Sequence, residues 1–359
     1  MSFINIGIVA HVDAGKTTIT ENLLYSSGRI KDKGSVDKGT AITDSLIIEQ
    51  DRGISIKASS VSLVWKQKTI NIIDTPGHID FSSEVERSFK AIDAAILIIS
   101  AVEGVQAHTE NLWEALQELK IPTLIFINKI DRIGANTIAV VNEIRNALSN
   151  DVIALHSVSA EETDIPQLDN VIFNNLIQNK SSDLEDEFIE KIAENSEILL
   201  NKYVHGETIG IALLNAEFKK MIAGCVLTPI LFGSAKFKLG ITELLDTVVT
   251  FFPESGAGDE KTKGIVYKVI HDPTAGKMAG VRLFSGKINI RDSLFNCSTG
   301  EESKVTLIKK KYVRKLENID SFSAGDIAYI AGFKNLKPGD LIGSSMFRAA
   351  SKKHFLNLF

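Results

Sequence analysis

A mostly parallel α/β sheet flanked by helices, followed by an antiparallel β-barrel, is the architecture this sequence predicts. Three observations predict it. Continuous apolar runs of strand length recur at residues 4–10, 69–73, 94–100, 123–127 and 152–155. Amphipathic stretches at 17–26, 84–91 and 109–119 separate several of them, and apolar strands alternating with helices argue for a sheet covered on both faces. Beyond residue 263 the texture changes to short alternating strands with glycine-rich turns, at 264–270, 279–284, 304–308 and 326–331, which is the pattern of a small barrel.

The first run, 4–10, ends at Ala10 and is followed by His11, Val12, Asp13, Ala14, Gly15, Lys16, Thr17 and Thr18. A strand, a loop and a helix start in that order present backbone N–H groups and a helix N-terminus to phosphate oxygens. Gly15 lets the backbone approach closely. Lys16 is expected to reach the β- and γ-phosphates, and Thr17 to ligate Mg²⁺. Residues 44–56 are the candidate for a loop closing over the γ-phosphate, with Ser55 offering a hydroxyl to the metal. Residues 61–66 and 69–73 read as a hairpin around Gln67-Lys68, giving one antiparallel strand. Asp74 ends that second run and fits the carboxylate linked to Mg²⁺. In the Thr75-Pro76-Gly77-His78 stretch that follows, the Gly77 N–H is placed to sense the γ-phosphate. His78 is placed to orient the attacking water.

The run 123–127 leads into Asn128, Lys129, Ile130 and Asp131. A carboxylate at Asp131 can accept hydrogen bonds from guanine N1–H and the 2-amino group. Adenine offers neither donor there, and an unpaired carboxylate is costly. Asn128 is expected to hold loops together, and the Lys129 stem to cover the base. Ser234, Ala235 and Lys236 follow the apolar stretch 230–232, and a backbone N–H there is expected to meet guanine O6. The rival reading, an ATP-using kinase or ATPase, needs Asp131 to be merely structural.

Residues 182–203 are acidic and amphipathic, with Leu184, Phe188, Ile192, Ile198, Leu199 and Leu200 as buried positions. They lie within a helical insertion around 160–225. Residues 253–263 are polar and glycine-containing and read as a linker. The expected division is therefore 1–255, a nucleotide domain, 264–345, the barrel, and 346–359, a divergent tail. The run Lys309, Lys310, Lys311, Tyr312, Val313, Arg314, Lys315 is the strongest positive stretch. It reads equally well as a solvated strand face or as a contact for RNA phosphates.

The bulk numbers exclude some classes. With 359 residues the chain has room for two or three domains. A net charge of −5 means that any nucleic-acid contact must come from a local patch. Cys225 and Cys297 share no metal-ligand spacing and no disulfide framework, so a cytoplasmic, reducing compartment is expected. No signal peptide is visible. The strongest apolar run, 94–102, is too short to span a bilayer. A monomer without membrane contact is the expectation.

The segments AHVDAGKTT, RGISI, IIDTPGHIDF, FINKIDR and GSAK resemble the elongation factor G group of translational GTPases. GSVDKGTAITD, LIISA, EGVQAHTE and IPTLIFINKID resemble the tetracycline-resistance ribosomal protection proteins more than elongation factor G itself. AGVRLFSGKI and AGDIAYIAGFKNLKPGDLIG resemble that subgroup's β-barrel second domain. The resemblance covers residues 1 to about 345 and implies an α/β P-loop GTPase domain ahead of the barrel. It implies a GTP- and Mg²⁺-dependent translation factor, with the ribosome (its RNA and proteins) as partner and GTP or GDP as ligand. It also implies that Val12 and Ile54 flank the catalytic His78 as an apolar gate. Family members continue through three further domains that reach the drug site, and the tail here does not resemble that continuation. The alternative expectation is an elongation factor G-like protein, or a nucleotide-binding, ribosome-binding protein without a productive cycle.

Overall fold

The computed structural model describes residues 2–30, 59–74, 87–178, 186–256, 261–312 and 315–345. The first part contains strands β1 (Phe3–Ala10), β2 (Ser59–Trp65), β3 (Lys68–Asp74), β4 (Ala94–Ser100), β5 (Thr123–Asn128), β6 (Val152–Ala154), β7 (Ser157–Ser159), β8 (Gln167–Asp169) and β9 (Thr228–Phe232). Its helices are α1 (Lys16–Ser26), α2 (Ala107–Glu118), α3 (Thr137–Ala147), α4 (Val171–Gln178), α5 (Asp186–Ala193), α6 (Glu197–Val204), α7 (Ile211–Ala223) and α8 (Ile241–Phe251).

Seven strands form one sheet in the order β2-β3-β1-β4-β5-β9-β6. All pairings are parallel except β2 with β3. Because side chains alternate along a strand, each central strand feeds two cores. Ile4, Ile6, Ile8, Ile96, Ile98 and Phe126 face α1, α8 and the inserted helices. Val9, Leu97, Ile99, Ile125 and Ile127 face α2 and α3. That double coverage is why these runs are apolar throughout. The hairpin turn is Lys66-Gln67, one residue before the expected position. Trp65 pairs with Lys68 across it. Both turn residues have positive φ, 45° and 65°, as the tight turns that match strand twist require.

The insertion packs on the α1 side of the sheet, with Phe188, Ile192 and Leu199 in that core. Leu184 lies outside the described residues. Ile198 and Leu200 are exposed, 53% and 43%, contrary to expectation. The helical stretch breaks, and α6 restarts with Ser196 accepting a hydrogen bond from the Leu199 N–H. Leu199 stands seven residues after Ile192 and shares its face, whereas its neighbours Ile198 and Leu200 are turned away by the 3.6-residue helical period.

The second part contains β10 (Lys263–Asp272), β11 (Gly276–Ser285), β12 (Lys287–Asn289), β13 (Ser293–Asn296), β14 (Glu302–Lys304), β15 (Leu307–Tyr312), β16 (Lys315–Asn318), β17 (Ser321–Ser323), β18 (Ile327–Ala331) and β19 (Leu341–Gly343). Eight of these form an antiparallel sheet, β14-β13-β19-β10-β11-β18-β15-β16, and β12 pairs with β17. Together they surround one core that includes Val266, Val281, Leu283, Ile308 and Ile330. The stretch expected as one strand at 304–308 is divided between β14 and β15. The Val305 N–H turns to the Asp292 carbonyl and the Thr306 N–H to the Ala331 carbonyl. Among the described residues no helix is long and apolar enough to cross a membrane.

The two parts share a buried polar joint. Ser255, expected in a linker, instead exchanges both backbone hydrogen bonds with Phe3 at the start of β1, 2.9 and 2.7 Å. Arg282 on β11, 1% exposed, donates to Asp93 (2.8 Å), to the Ser255 hydroxyl (2.6 Å) and to the Gly325 carbonyl. Asn5 on β1 donates to Asp93 and to the same carbonyl. Burial lowers the Arg282 pKa, while Asp93 and Asp326 oppose that shift.

The basic run takes neither expected form at its two leading lysines. Lys309 pairs with Asp272 at 2.9 Å, and Lys310 with Asp326 at 2.6 Å; all four side chains are nearly buried. The Thr274 hydroxyl and Lys309 hold the Asp272 carboxyl well below its usual range. Neither lysine is available to RNA. Val313 and Arg314 lie outside the described residues.

Replacing Arg282 with Met removes the cationic partner of the nearly buried Asp93 carboxylate, which then keeps only the neutral donors of Asn5 and Ser255. We expect Arg282→Met to lower unfolding stability by about 3–5 kcal/mol, measured by urea denaturation.

Candidate functional site

The C-terminal ends of β1, β3, β5 and β9 lie along one edge of the parallel sheet, where loops between strands and helices converge. After β1, residues 11–15 form a loop ending at Gly15, whose φ of 96° caps α1. Glycine is required there twice over. The left-handed backbone disfavours other residues, and a Cβ would collide with the Asn128 side-chain amide. Asp13 also has positive φ, 64°. This loop and the first turn of α1 present a helix N-terminus, which favours an anion.

Lys16 and Asp74 form a buried ion pair, their side chains 8% and 3% exposed. A phosphate entering here would compete with Asp74 for the Lys16 ammonium. Thr17 and Thr18 follow on the half-buried start of α1, and Val12 is 45% exposed. Asp74 and the Thr17 hydroxyl are hard oxygen donors. Among the described residues no group of three or more His, Cys, Asp or Glu forms a protein cage for a metal. One carboxylate and a hydroxyl beside an anion site suit Mg²⁺, which keeps waters and phosphate oxygens as its other ligands. Ser55, Gly77 and His78 lie outside the described residues, as does Ile54.

At the next strand exit stands Asn128, 2% exposed. Its Nδ2 donates to the Ala14 carbonyl at 2.8 Å, and its Oδ1 accepts from the Ala235 N–H at 2.9 Å. One amide thus ties the phosphate loop to the loop after β9. Ser234 donates its hydroxyl to Asp131 Oδ1 at 2.5 Å and accepts from the Phe237 N–H. Asp131 keeps its second carboxylate oxygen for another donor. Residues 234–239 close on themselves through paired Ser234 and Leu239 hydrogen bonds. Lys236 is exposed beside Asp164 at 3.4 Å. Lys129, with φ 67°, lies nearly buried and reaches Glu103 at 3.1 and 3.3 Å.

Two contributors, Asn22 and His156, were not visible as site residues in sequence. Asn22 on α1 donates to the Ala235 carbonyl at 2.7 Å, a contact spanning more than two hundred positions. His156 accepts from the Phe232 N–H at 2.6 Å, and its other ring nitrogen faces Asn170 Oδ1 at 3.0 Å. This fixes the end of β9, just before Ser234. His11 is buried with Nδ1 3.3 Å from the Thr109 hydroxyl. Burial holds its pKa below the ordinary value, opposed by Glu103.

A family model described as the elongation factor Tu GTP binding domain matches residues 1–254. The chain belongs to this family. Among curated proteins, the tetracycline resistance protein TetP of Clostridium perfringens is 42% identical over 352 residues, covering 95% of this chain and 52% of that protein. Elongation factor G 2 of Borreliella burgdorferi is 33% identical over 382 residues, covering 95% and 57%. The chain thus spans about half the length of the curated relatives it matches. A crystal structure from Thermus thermophilus superposes with a TM-score of 0.85 at 24% identity, covering 97% of this chain and 55% of that one. That likeness concerns the fold.

Burial lowers the His156 pKa from its ordinary 6.5 to about 4. The fold therefore holds it neutral, while the unfolded chain takes up a proton near 6.5. The stabilisation is complete above that pH and is lost as pH falls from 6.5 toward 4. We expect up to about 3 kcal/mol of such loss, read from urea midpoints between pH 7.5 and 4.5, with a flatter profile in His156→Gln.

Proposed function

We propose that this protein binds GTP with Mg²⁺ and cleaves the terminal phosphoanhydride by in-line attack of water, as a translation factor acting on the ribosome. The observation that carries the reading is the Asn128 amide, which joins the phosphate loop to the loop beside Asp131. A ligand with phosphates at one end and a base at the other would use both loops.

In this reading, backbone N–H groups of residues 12–17 surround the phosphates. Lys16 exchanges Asp74 for the β- and γ-phosphate oxygens. Thr17 and Ser55 offer hydroxyls to the metal, and Asp74 acts on it indirectly. Mg²⁺, when bound, neutralises charge on the β- and γ-oxygens. The Gly77 N–H contacts the γ-phosphate. His78 orients the water, with Val12 and Ile54 beside it. Asp131 accepts from guanine N1–H and the 2-amino group, the Lys129 stem lies on the base, and the backbone at Ser234, Ala235 and Lys236 meets O6. His11, Asp13, Ala14 and Thr18 complete the phosphate site.

The corresponding domain division is 1–255, with its insertion around 160–225, then 264–345. The relatives, a tetracycline resistance protein and an elongation factor, support the ribosome as partner, and under the same proposal the protein is a cytoplasmic monomer. Basic residues other than Lys309 and Lys310 must then make the RNA contact.

A phosphate-release assay with and without ribosomes tests the proposal. Ribosome-stimulated release is expected, and His78→Ala should abolish it while GTP binding persists. Unchanged release in His78→Ala would remove the role of that histidine. Binding without any release on ribosomes would favour a nucleotide-binding protein with no productive cycle. In competition, GTP should displace a bound guanine nucleotide at least about a hundredfold better than ATP, because the adenine edge offers Asp131 no pair of N–H donors. Tighter ATP binding would remove the guanine assignment.

A further inference from the structure

The turn between β4 and α2 carries the stretch Glu103-Gly104-Val105-Gln106-Ala107-His108-Thr109, to which the nucleotide reading gives no task. Its shape is tightly set. Gly104 has φ 64°, and a Cβ there would strike the Glu143 carboxylate. The same carboxylate accepts from the Val105 N–H at 3.0 Å. The Ser100 hydroxyl accepts from the Glu103 N–H at 3.3 Å. The turn is therefore held from both sides before it touches the site.

It touches the site at two points. Glu103 receives the Lys129 ammonium on both carboxylate oxygens. The Thr109 hydroxyl, fully buried, lies 3.3 Å from His11 Nδ1 in the phosphate loop. It also accepts from the Gln106 N–H, which seats the start of α2. The neighbouring strand exit is fixed too, since the Ala101 N–H donates to the Asn128 carbonyl at 2.7 Å.

We propose that this turn is a brace for the nucleotide, with Glu103 positioning Lys129 against the base and Thr109 positioning His11 in the phosphate loop. The inference rests on the guanine-nucleotide reading above. Neither residue touches the ligand; each acts through a residue that does. Glu103 draws the ammonium outward, so the four-carbon stem lies flat instead of curling over the base edge. Thr109 holds the one ring of the phosphate loop that is buried, and so limits the conformations of residues 11–13.

The test is nucleotide affinity of the full chain, measured by titration calorimetry with GDP. Glu103→Gln is expected to weaken GDP binding about fivefold, the range of a partly exposed ion pair. Lys129→Met keeps the stem and removes the charge. In that background Glu103→Gln should have no further effect. Thr109→Val should weaken GDP binding, and Thr109→Ser, which keeps the hydroxyl, should restore it. An equal loss from Glu103→Gln with or without the Lys129 charge would overturn the brace. So would wild-type affinity in both Glu103→Gln and Thr109→Val. Failure of the unaltered protein to bind GDP would overturn the nucleotide reading and this inference together, and is told apart by that first titration.

Discussion

One side-chain amide holds the candidate site in shape. Asn128 gives its N–H to the loop after β1 and its oxygen to the loop after β9. Both bonds are buried, so loss of either leaves a polar group unsatisfied, at a cost of about 1–3 kcal/mol. The flanking strands supply the rigidity. β1, β4, β5 and β9 are consecutive neighbours in the sheet, and their apolar faces are covered on both sides. A single hydrogen-bonding residue can set loop geometry only because the strand ends beneath it do not move. Gly15 completes the arrangement, since the amide occupies the space a side chain there would need.

The joint between the two sheets follows the same logic on a larger scale. Arg282 forks between Asp93, Ser255 and Gly325, and a guanidinium is the side chain whose geometry matches several acceptors at once. Around it, Ile73 and Ala91 pack with Tyr267 and Ile327. Ile73 precedes Asp74 on β3, so the second sheet abuts the strand that carries the acidic residue of the site. The Ser60, Tyr267 and Tyr329 hydroxyls are buried together at this boundary. Burial raises the pKa of both tyrosines, which keeps them neutral donors.

Much of this was legible in the sequence for a physical reason. Strands buried on both faces are apolar without interruption, and loops that bind phosphate or base need particular residues at fixed short spacing. Both signals are local, and the strand positions and the placing of Gly15 and Asn128 at strand exits follow from them. What escaped was non-local. The partners of Lys309 and Lys310 stand at Asp272 and Asp326, so the run looks solvated until the strands are assembled. Ser255 reads as linker because its composition does, yet it pairs with Phe3. His156 and Thr109 are ordinary residues in sequence and acquire meaning only through Phe232 and His11. Ile198 and Leu200 show the converse: they flank Leu199 on a helix and cannot share its face, which hydrophobicity alone does not report.

The Arg282 joint has a consequence for the order in which the chain can fold. Its acceptors come from three separate segments, around positions 93, 255 and 325, and its neighbour Asn5 comes from a fourth. Contacts so distant along the chain close large loops and form slowly. Until the last of them arrives, a permanently charged guanidinium on β11 has no dry place to go, and the two sheets stay hydrated where they later meet. Docking of the halves thus requires all four segments to be in place together.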